Sequence, residues 1–323
     1  MSKVRGRFAL LGGLASVCAL ALPGQAFALA GALDPSFGGD GRVVTNVTPG
    51  FDEAVGVAIQ PADGKIVVGG GANGRFGLAR YNPNGALDTS FGGDGKVRTN
   101  FTAGFDEAFD VVLQPADGKI VALGRAEWRG GSFALARYNT NGTLDSSFGG
   151  DGKVMTNFSR GDDTAFGVAI QADGRIVAAG RAGGHDGKVA VARYNTNGTL
   201  DSSFGGDGRV TTNYTRFEDR ADAVAIQADG RIVAAGFAAS GRFALTRYNT
   251  NGTRDSSFGG DGRVTTNFTI RRFDGAFAIA VQPGDQRLVA AGEANGRIGV
   301  ARYLPNGHLD NSFGGDGRVR TNF

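Results

Sequence analysis

Two histidines (His185 and His308), one cysteine (Cys18) and many carboxylates are the side chains through which this chain of 323 residues could do acid–base, nucleophilic or metal chemistry. The histidines are far apart in sequence, no Gly-x-Ser-x-Gly nucleophile elbow occurs, and His clusters with metal-ligand spacing are absent. His308 stands in a turn where equivalent positions carry Thr or Ala, which reads as an exposed turn residue. The carboxylates are periodic. Asp52, Asp106, Asp163, Asp219 and Asp274 form one set, and Asp40, Asp94, Asp151, Asp207, Asp261 and Asp316 another. A catalytic group is needed once, so these Asp side chains are expected to accept hydrogen bonds from turn backbone. Arg80, Arg137, Arg193, Arg247 and Arg302, each followed by Tyr, are expected to pair with one of those Asp sets between repeating units. No cofactor is expected. Calcium is the competing reading for Asn195-Thr196-Asn197-Gly198-Thr199-Leu200-Asp201, which alternates oxygen side chains but lacks the full Asp-rich ladder and a distal bidentate Glu.

The elements that must position these residues are repeats. Leu-Asp-x-Ser-Phe-Gly-Gly-Asp-Gly-Arg/Lys-Val starts at Leu33, Leu87, Leu144, Leu200, Arg254 (Arg replacing Leu) and Leu309, at spacings of 54, 57, 56, 54 and 55 residues. In the third unit, Ala165 to Gln171 and Arg175 to Gly180 read as a hairpin around Ala172-Asp173-Gly174. Val189 to Tyr194 is a third strand, Asn195-Thr196-Asn197-Gly198 a second turn, and Arg209 to Asn213 a fourth strand. No helical periodicity with caps follows the N-terminal stretch. The predicted class is all-β: a β-propeller of about five four-stranded antiparallel blades, with one surplus outer-strand segment.

The N-terminus reads as a secretory leader over residues 1–28. Lys3, Arg5 and Arg7 precede an apolar run from Phe8 to Leu22 and a small-x-small end at Ala26-Phe27-Ala28. The run is too short to span a bilayer, and no transmembrane segment is expected. Cleavage removes Cys18 and three positive charges, leaving 31 basic against 31 acidic residues, so nucleic acid is not an expected partner. Residues 29–323 then form one propeller domain, with an N-terminal strand segment at 29–50 and units at about 51–104, 105–161, 162–217, 218–272 and 273–323.

The motifs Asp-Gly-Lys/Arg-Ile-Val-Ala-x-Gly and Ala-Arg-Tyr-Asn-x-Asn-Gly-x-Leu-Asp-x-Ser-Phe-Gly-Gly-Asp-Gly resemble the delta-60 repeat family, whose members are similar to extracellular or surface β-propellers. The resemblance implies this fold and a secreted or periplasmic setting, and brings no reaction or catalytic residues with it. Six copies of the fourth-strand segment against five of the other three leave one over, expected to close the ring like a clasp, cap its edge or mediate self-association.

Two connections vary between units: the segment between strands two and three, and the link into the next blade. In antiparallel blades both emerge on one face, the expected binding surface. Its candidate residues are Trp128, Arg129, Phe51, Phe105, His185, Asp186, Arg216, Phe217, Arg271, Arg272 and Phe273, with Trp128 and Arg129 suited to stacking on a sugar or anchoring a protein at the cell surface. The expected function is a non-enzymatic scaffold binding a protein or glycan. The alternatives are a polysaccharide hydrolase or lyase using Asp162, Asp163, Asp186 or Glu218, and a calcium-stabilised structural component.

Overall fold

The computed structural model describes residues 31–127, 130–183, 186–238, 241–269 and 273–322. Apolar, β-branched runs separated by Asp-Gly and Asn-Gly turns fold into five four-stranded antiparallel sheets, each in simple sequential order. Blade one holds β1 (Asp52–Ile59), β2 (Ile66–Ala72), β3 (Phe76–Tyr81) and β4 (Lys96–Thr99). Blade two holds β5 (Asp106–Leu113), β6 (Ile120–Ala126), β7 (Ser132–Tyr138) and β8 (Lys153–Thr156). Blade three follows with β9 (Thr164–Ile170), β10 (Ile176–Ala182), β11 (Lys188–Tyr194) and β12 (Arg209–Thr212). Blade four is β13 (Arg220–Ile226), β14 (Ile232–Ala238), β15 (Arg242–Tyr248) and β16 (Arg263–Thr266); blade five is β17 (Asp274–Val281), β18 (Leu288–Ala294), β19 (Ile298–Tyr303) and β20 (Arg318–Thr321). The predicted strands of the third unit fall within two residues of those observed.

The first strand of every blade pairs with the second through a register shift, leaving Val55, Phe109, Phe166, Asp222 and Phe277 as the extra residues. Such bulges twist the strand and re-aim its side chains. The invariant Gly of Ile-Val-Ala-x-Gly sits opposite: a Cβ on Gly180 would lie 2.0 Å from the Thr164 carbonyl oxygen, and one on Gly124 would lie 1.9 Å from that of Glu107. Only glycine admits this approach.

Blade stacking buries the core. Four apolar clusters fill the four junctions between successive blades, each containing a fully buried corner phenylalanine: Phe91, Phe148, Phe204 and Phe258. Burying one such ring contributes about 1.5–3 kcal/mol. Polar contacts at each junction repeat as well. The corner amide of Gly92, Gly149, Gly205 and Gly259 donates at 2.9 Å to the turn carbonyl of Asn141, Asn197, Asn251 and Asn306 in the next blade. The next blade's tyrosine returns its hydroxyl: Tyr138 donates to Thr99 and Tyr303 to Thr266, both at 2.8 Å, and Tyr194 to Thr156 at 2.9 Å. Tyr248 makes the equivalent bond with Thr212 at 2.8 Å.

Arg80, Arg137, Arg193, Arg247 and Arg302 do not pair with either expected Asp set. Each Nε binds the Asp of the Leu/Arg-Asp step in its own blade: Asp88, Asp145, Asp201 and Asp255 at 2.7 Å, and Asp310 at 2.8 Å. The corner loop folds that Asp back, because its amide bonds to the arginine's own carbonyl, as Asp145 does to Arg137 at 2.9 Å. Nη1 of the first four then reaches across the junction to a turn carbonyl, of Thr140, Thr196, Thr250 and Pro305. The other Asp sets behave as expected: Asp163 accepts from the Phe158 amide at 2.7 Å and the Ser159 amide at 3.0 Å, and Asp151 from the Lys153 amide at 3.0 Å.

Of the roles considered for the surplus segment, the clasp is not the one observed. Residues 43–46 form no strand, and the outer edge of β19 is filled by β20. The surplus copy is therefore the N-terminal one, and it does not clasp blade five. It lies on blade one in the position that a preceding blade's corner segment takes at the internal junctions, with the Gly38 amide donating to the Asn84 carbonyl at 2.9 Å and Lys96 Nζ to the Asn46 carbonyl at 3.1 Å. β1 packs on β5, β5 on β9, β9 on β13 and β13 on β17, but no comparable packing joins β17 to β1, so the described blades form an open arc.

Candidate functional site

The two variable connections meet on one face. The link into each blade hydrogen-bonds to the second-to-third-strand loop of the blade before: the amide of Asp106 to the Gly74 carbonyl at 2.9 Å, Asp163 to Gly131 at 2.8 Å, Asp219 to Gly187 at 2.7 Å and Asp274 to Gly241 at 2.9 Å. The links are braced by the Asp at the start of each blade, half-buried in blade one and fully buried in the others, whose carboxylate accepts from two amides at the head of the link.

Of the candidate residues, Phe51 is 72% exposed, Phe217 61%, Phe273 40% and Phe105 36%. They stand at the ends of four links, presenting phenyl rings to solvent on the same face. Arg216 and Asp186 are exposed there too, with the Arg216 guanidinium 5.7 Å from the Phe217 ring. Trp128, Arg129, His185, Arg271 and Arg272 lie outside the described residues. Three of the four carboxylates considered for hydrolysis are engaged: Asp162 accepts from the Gly130 amide at 2.5 Å, Asp163 is fully buried, and Glu218 pairs with Arg181 at 2.7 Å. In the turn considered for calcium, Asn197 Oδ1 accepts from the amide and hydroxyl of Thr199 at 3.1 and 2.8 Å, and Asp201 holds Arg193.

Directly beneath the loops lies a rung of residues that loop comparison missed. At the bulge, Glu53 pairs across with Gly71, Glu107 with Arg125, Thr164 with Arg181, Arg220 with Phe237 and Gly275 with Glu293. These positions change charge and size from unit to unit while their neighbours stay fixed, and an alignment of the strands themselves would have exposed them. Their side chains connect blades. The Arg220 guanidinium stacks between Phe166 of blade three at 4.9 Å and Phe237 of its own blade at 4.7 Å, and Nη2 reaches buried Asp222 at 3.0 Å. Phe166 meets Phe109 at 5.2 Å, and Phe237 meets Phe273 edge-on at 5.2 Å. Arg125 lies 5.3 Å from Phe105 and 5.9 Å from Phe109. Together they form a run of rings with two interleaved guanidinium groups from Phe105 to Phe273, a stacking surface with fixed donors.

Glu107 completes the rung. Burial pushes its pKa above the usual carboxylate range, the opposing pull of Arg125 at 3.1 Å does not cancel that, and the charge of Glu53 adds to the rise. One recess, lined by Tyr214, Thr215, Ala238 and Arg242, lies beside the link into blade four, and another, lined by Ser90, Lys96, Arg98, Asn141 and Thr143, lies at the seam between blades one and two. That seam is framework, remote from the variable connections.

Five segments, residues 62–91, 116–148, 171–204, 227–258 and 284–313, match a family described as a domain of unknown function (DUF5122), a β-propeller. Each match runs from the first hairpin turn to the corner phenylalanine, so it takes in the second and third strands with the loop between them and stops short of the link and the bulged strand. No curated protein matches the chain. Among solved structures, a candidate 6-phosphogluconolactonase from Bacteroides uniformis is 15% identical with a TM-score of 0.52, over 82% of this chain and 70% of that one. The periplasmic gluconolactonase of Pseudomonas aeruginosa is 15% identical with a TM-score of 0.51, over 80% and 68%. A protein of unknown function from Bacteroides caccae is 14% identical with a TM-score of 0.49, over 84% and 87%. At these identities the likeness is one of fold alone.

Proposed function

We propose that this chain, a β-propeller repeat protein, is a secreted or periplasmic scaffold that binds a glycan on its variable face. The observation that carries the reading is the run of phenyl and guanidinium groups, ending in exposed Phe105 and Phe273. Exposed rings suit the apolar faces of sugar residues, and neighbouring arginines supply donors for hydroxyl or carboxylate groups. The leader at residues 1–28 and the resemblance to delta-60 repeats support the setting. A glycan panel tests it: Phe217→Ala and Phe273→Ala are expected to weaken binding at least tenfold without moving the melting temperature. Binding unchanged in both variants would refute the reading.

A second reading rests on Glu107. A largely buried carboxyl whose pKa is raised by burial beside a second carboxylate is the arrangement of a general acid, and the Pseudomonas aeruginosa neighbour is a gluconolactonase. On that reading the rung hydrolyses a sugar lactone. Turnover of gluconolactone lost in Glu107→Gln favours it, whereas glycan binding that survives Glu107→Gln with no turnover in the parent chain favours the scaffold.

A further inference from the structure

Each end of the arc carries one half of the junction contact set without a neighbouring blade packed on it; on blade one only residues 34–46 are docked. On blade five the Arg302 side chain is 21% exposed, against 3–5% for Arg80, Arg137, Arg193 and Arg247, and its Nη1 meets no turn carbonyl. Phe313 is half-buried where its four equivalents are fully buried. On blade one the complementary half is open: Val57 is 46% exposed where its equivalent Val111 is 4% exposed, and Tyr81 is half-buried where Tyr138 is fully buried.

We propose that the outer face of blade five docks head to tail on blade one of a second copy of this chain, and that residues 34–46 are a removable placeholder at that site. The occupant is identified by continuity with the four internal junctions, which specify a partner face carrying the same corner, arginine and apolar residues. Closing the arc within one chain would require changing the angle at close-packed junctions that share one contact set. A second copy only repeats that contact set, and such a contact between unlike faces propagates. The placeholder role follows from its bonds. Gly38 holds the Asn84 carbonyl that Gly314 of an incoming copy would take, and residues 34–46 and 310–322 are identical at eleven of thirteen positions. Exchange of one segment for the other therefore costs little.

Sedimentation of the full chain and of a variant lacking residues 31–46, across a concentration series, tests the idea. Removing the placeholder is expected to at least double the mass at concentrations where the full chain is monomeric, and Val57→Asp in that background to restore the monomer. Phe37→Ala, which undocks the segment without deleting it, gives the same shift should the deletion impair folding. A cysteine pair at Val57 and Ala291 mimics the internal approach of Val111 to Gly69, where a glycine Cβ would lie 3.3 Å from the valine Cβ; it is expected to crosslink between chains. Both placeholder variants remaining monomeric, association indifferent to Val57→Asp, or a crosslink formed within one chain would each overturn the proposal.

Discussion

The Tyr194 hydroxyl of blade three donates to the Thr156 hydroxyl of blade two at 2.9 Å, in a place where both groups are shut off from water. Burial pushes the tyrosine pKa up well beyond its ordinary value, so the group serves as a neutral donor through the working pH range. Tyr194→Phe removes the donor and is expected to cost about 1 kcal/mol, whereas Thr156→Val strands the hydroxyl without a partner and costs about 1–3 kcal/mol. The double variant should lose less than the sum of the two. Urea unfolding of the four proteins measures the coupling.

Removing the arginine should hurt most where the next blade covers it. Arg193→Ala leaves buried Asp201 with only the partly exposed Arg175, 3.1 Å away, as its ion-pair partner, and an expected loss of about 1–3 kcal/mol. Arg302→Ala opens an equivalent pair whose arginine solvent already reaches, and less than half that loss is expected. Equal shifts in the unfolding midpoints of the two variants would contradict this ranking.

The bulge geometry makes a separate prediction at Gly180. Its Cβ would fall 2.0 Å from the Thr164 carbonyl oxygen and 2.8 Å from the Ala165 Cα, both backbone atoms that cannot swing aside. Gly180→Ala is expected to lower the melting temperature, while Gly206→Ala, where no atom lies within 4 Å of the added carbon, carries only the backbone cost of its φ of +90°. Comparing the two by calorimetry separates crowding from conformation.

Acid sensitivity follows from the corner aspartates. Burial works to raise the Asp145 pKa, but Lys119, Ser147 and Arg137 outweigh it and hold the carboxyl well below the usual range; Asp88 is held down in the same way by Ser90, Lys65 and Arg80. A depressed pKa in the folded chain means that the stabilisation is fully present above the ordinary carboxylate pKa of about 4 and is lost as pH falls toward the folded value. The melting temperature is expected to hold from neutrality down to that point and fall below it. Asp145→Asn should flatten the acid limb.

Periodicity made the blades legible because turn chemistry is local: Asn-Gly and Asp-Gly need positive φ angles that few residues supply, as Gly198 at +89° shows. The roles of Asp151 and Asp163 could be read for the same reason, their partners lying two to five residues away. The partner of Arg193 could not, since Asp201 reaches it only after the corner has folded the chain back on itself. The rung of Glu107, Arg125 and Arg220 was missed because a bulge, invisible in an alternating pattern, turns these side chains toward the neighbouring blade. The open arc was hidden for a different reason. Repeat counting fixes how many blades there are, while the angle between them depends on packing at faces such as those of Val111 and Phe148.

The amide-to-carbonyl bond that joins each corner glycine to the next asparagine turn has an evolutionary consequence. Because it runs between backbone atoms, it makes no demand on the side chains of either unit beyond their turn geometry. Whole units can then be duplicated, lost or shuffled without new compensating substitutions at the joins. Lineages carrying this architecture are free to change length in steps of one unit, and to diversify the rung and links of each added unit independently.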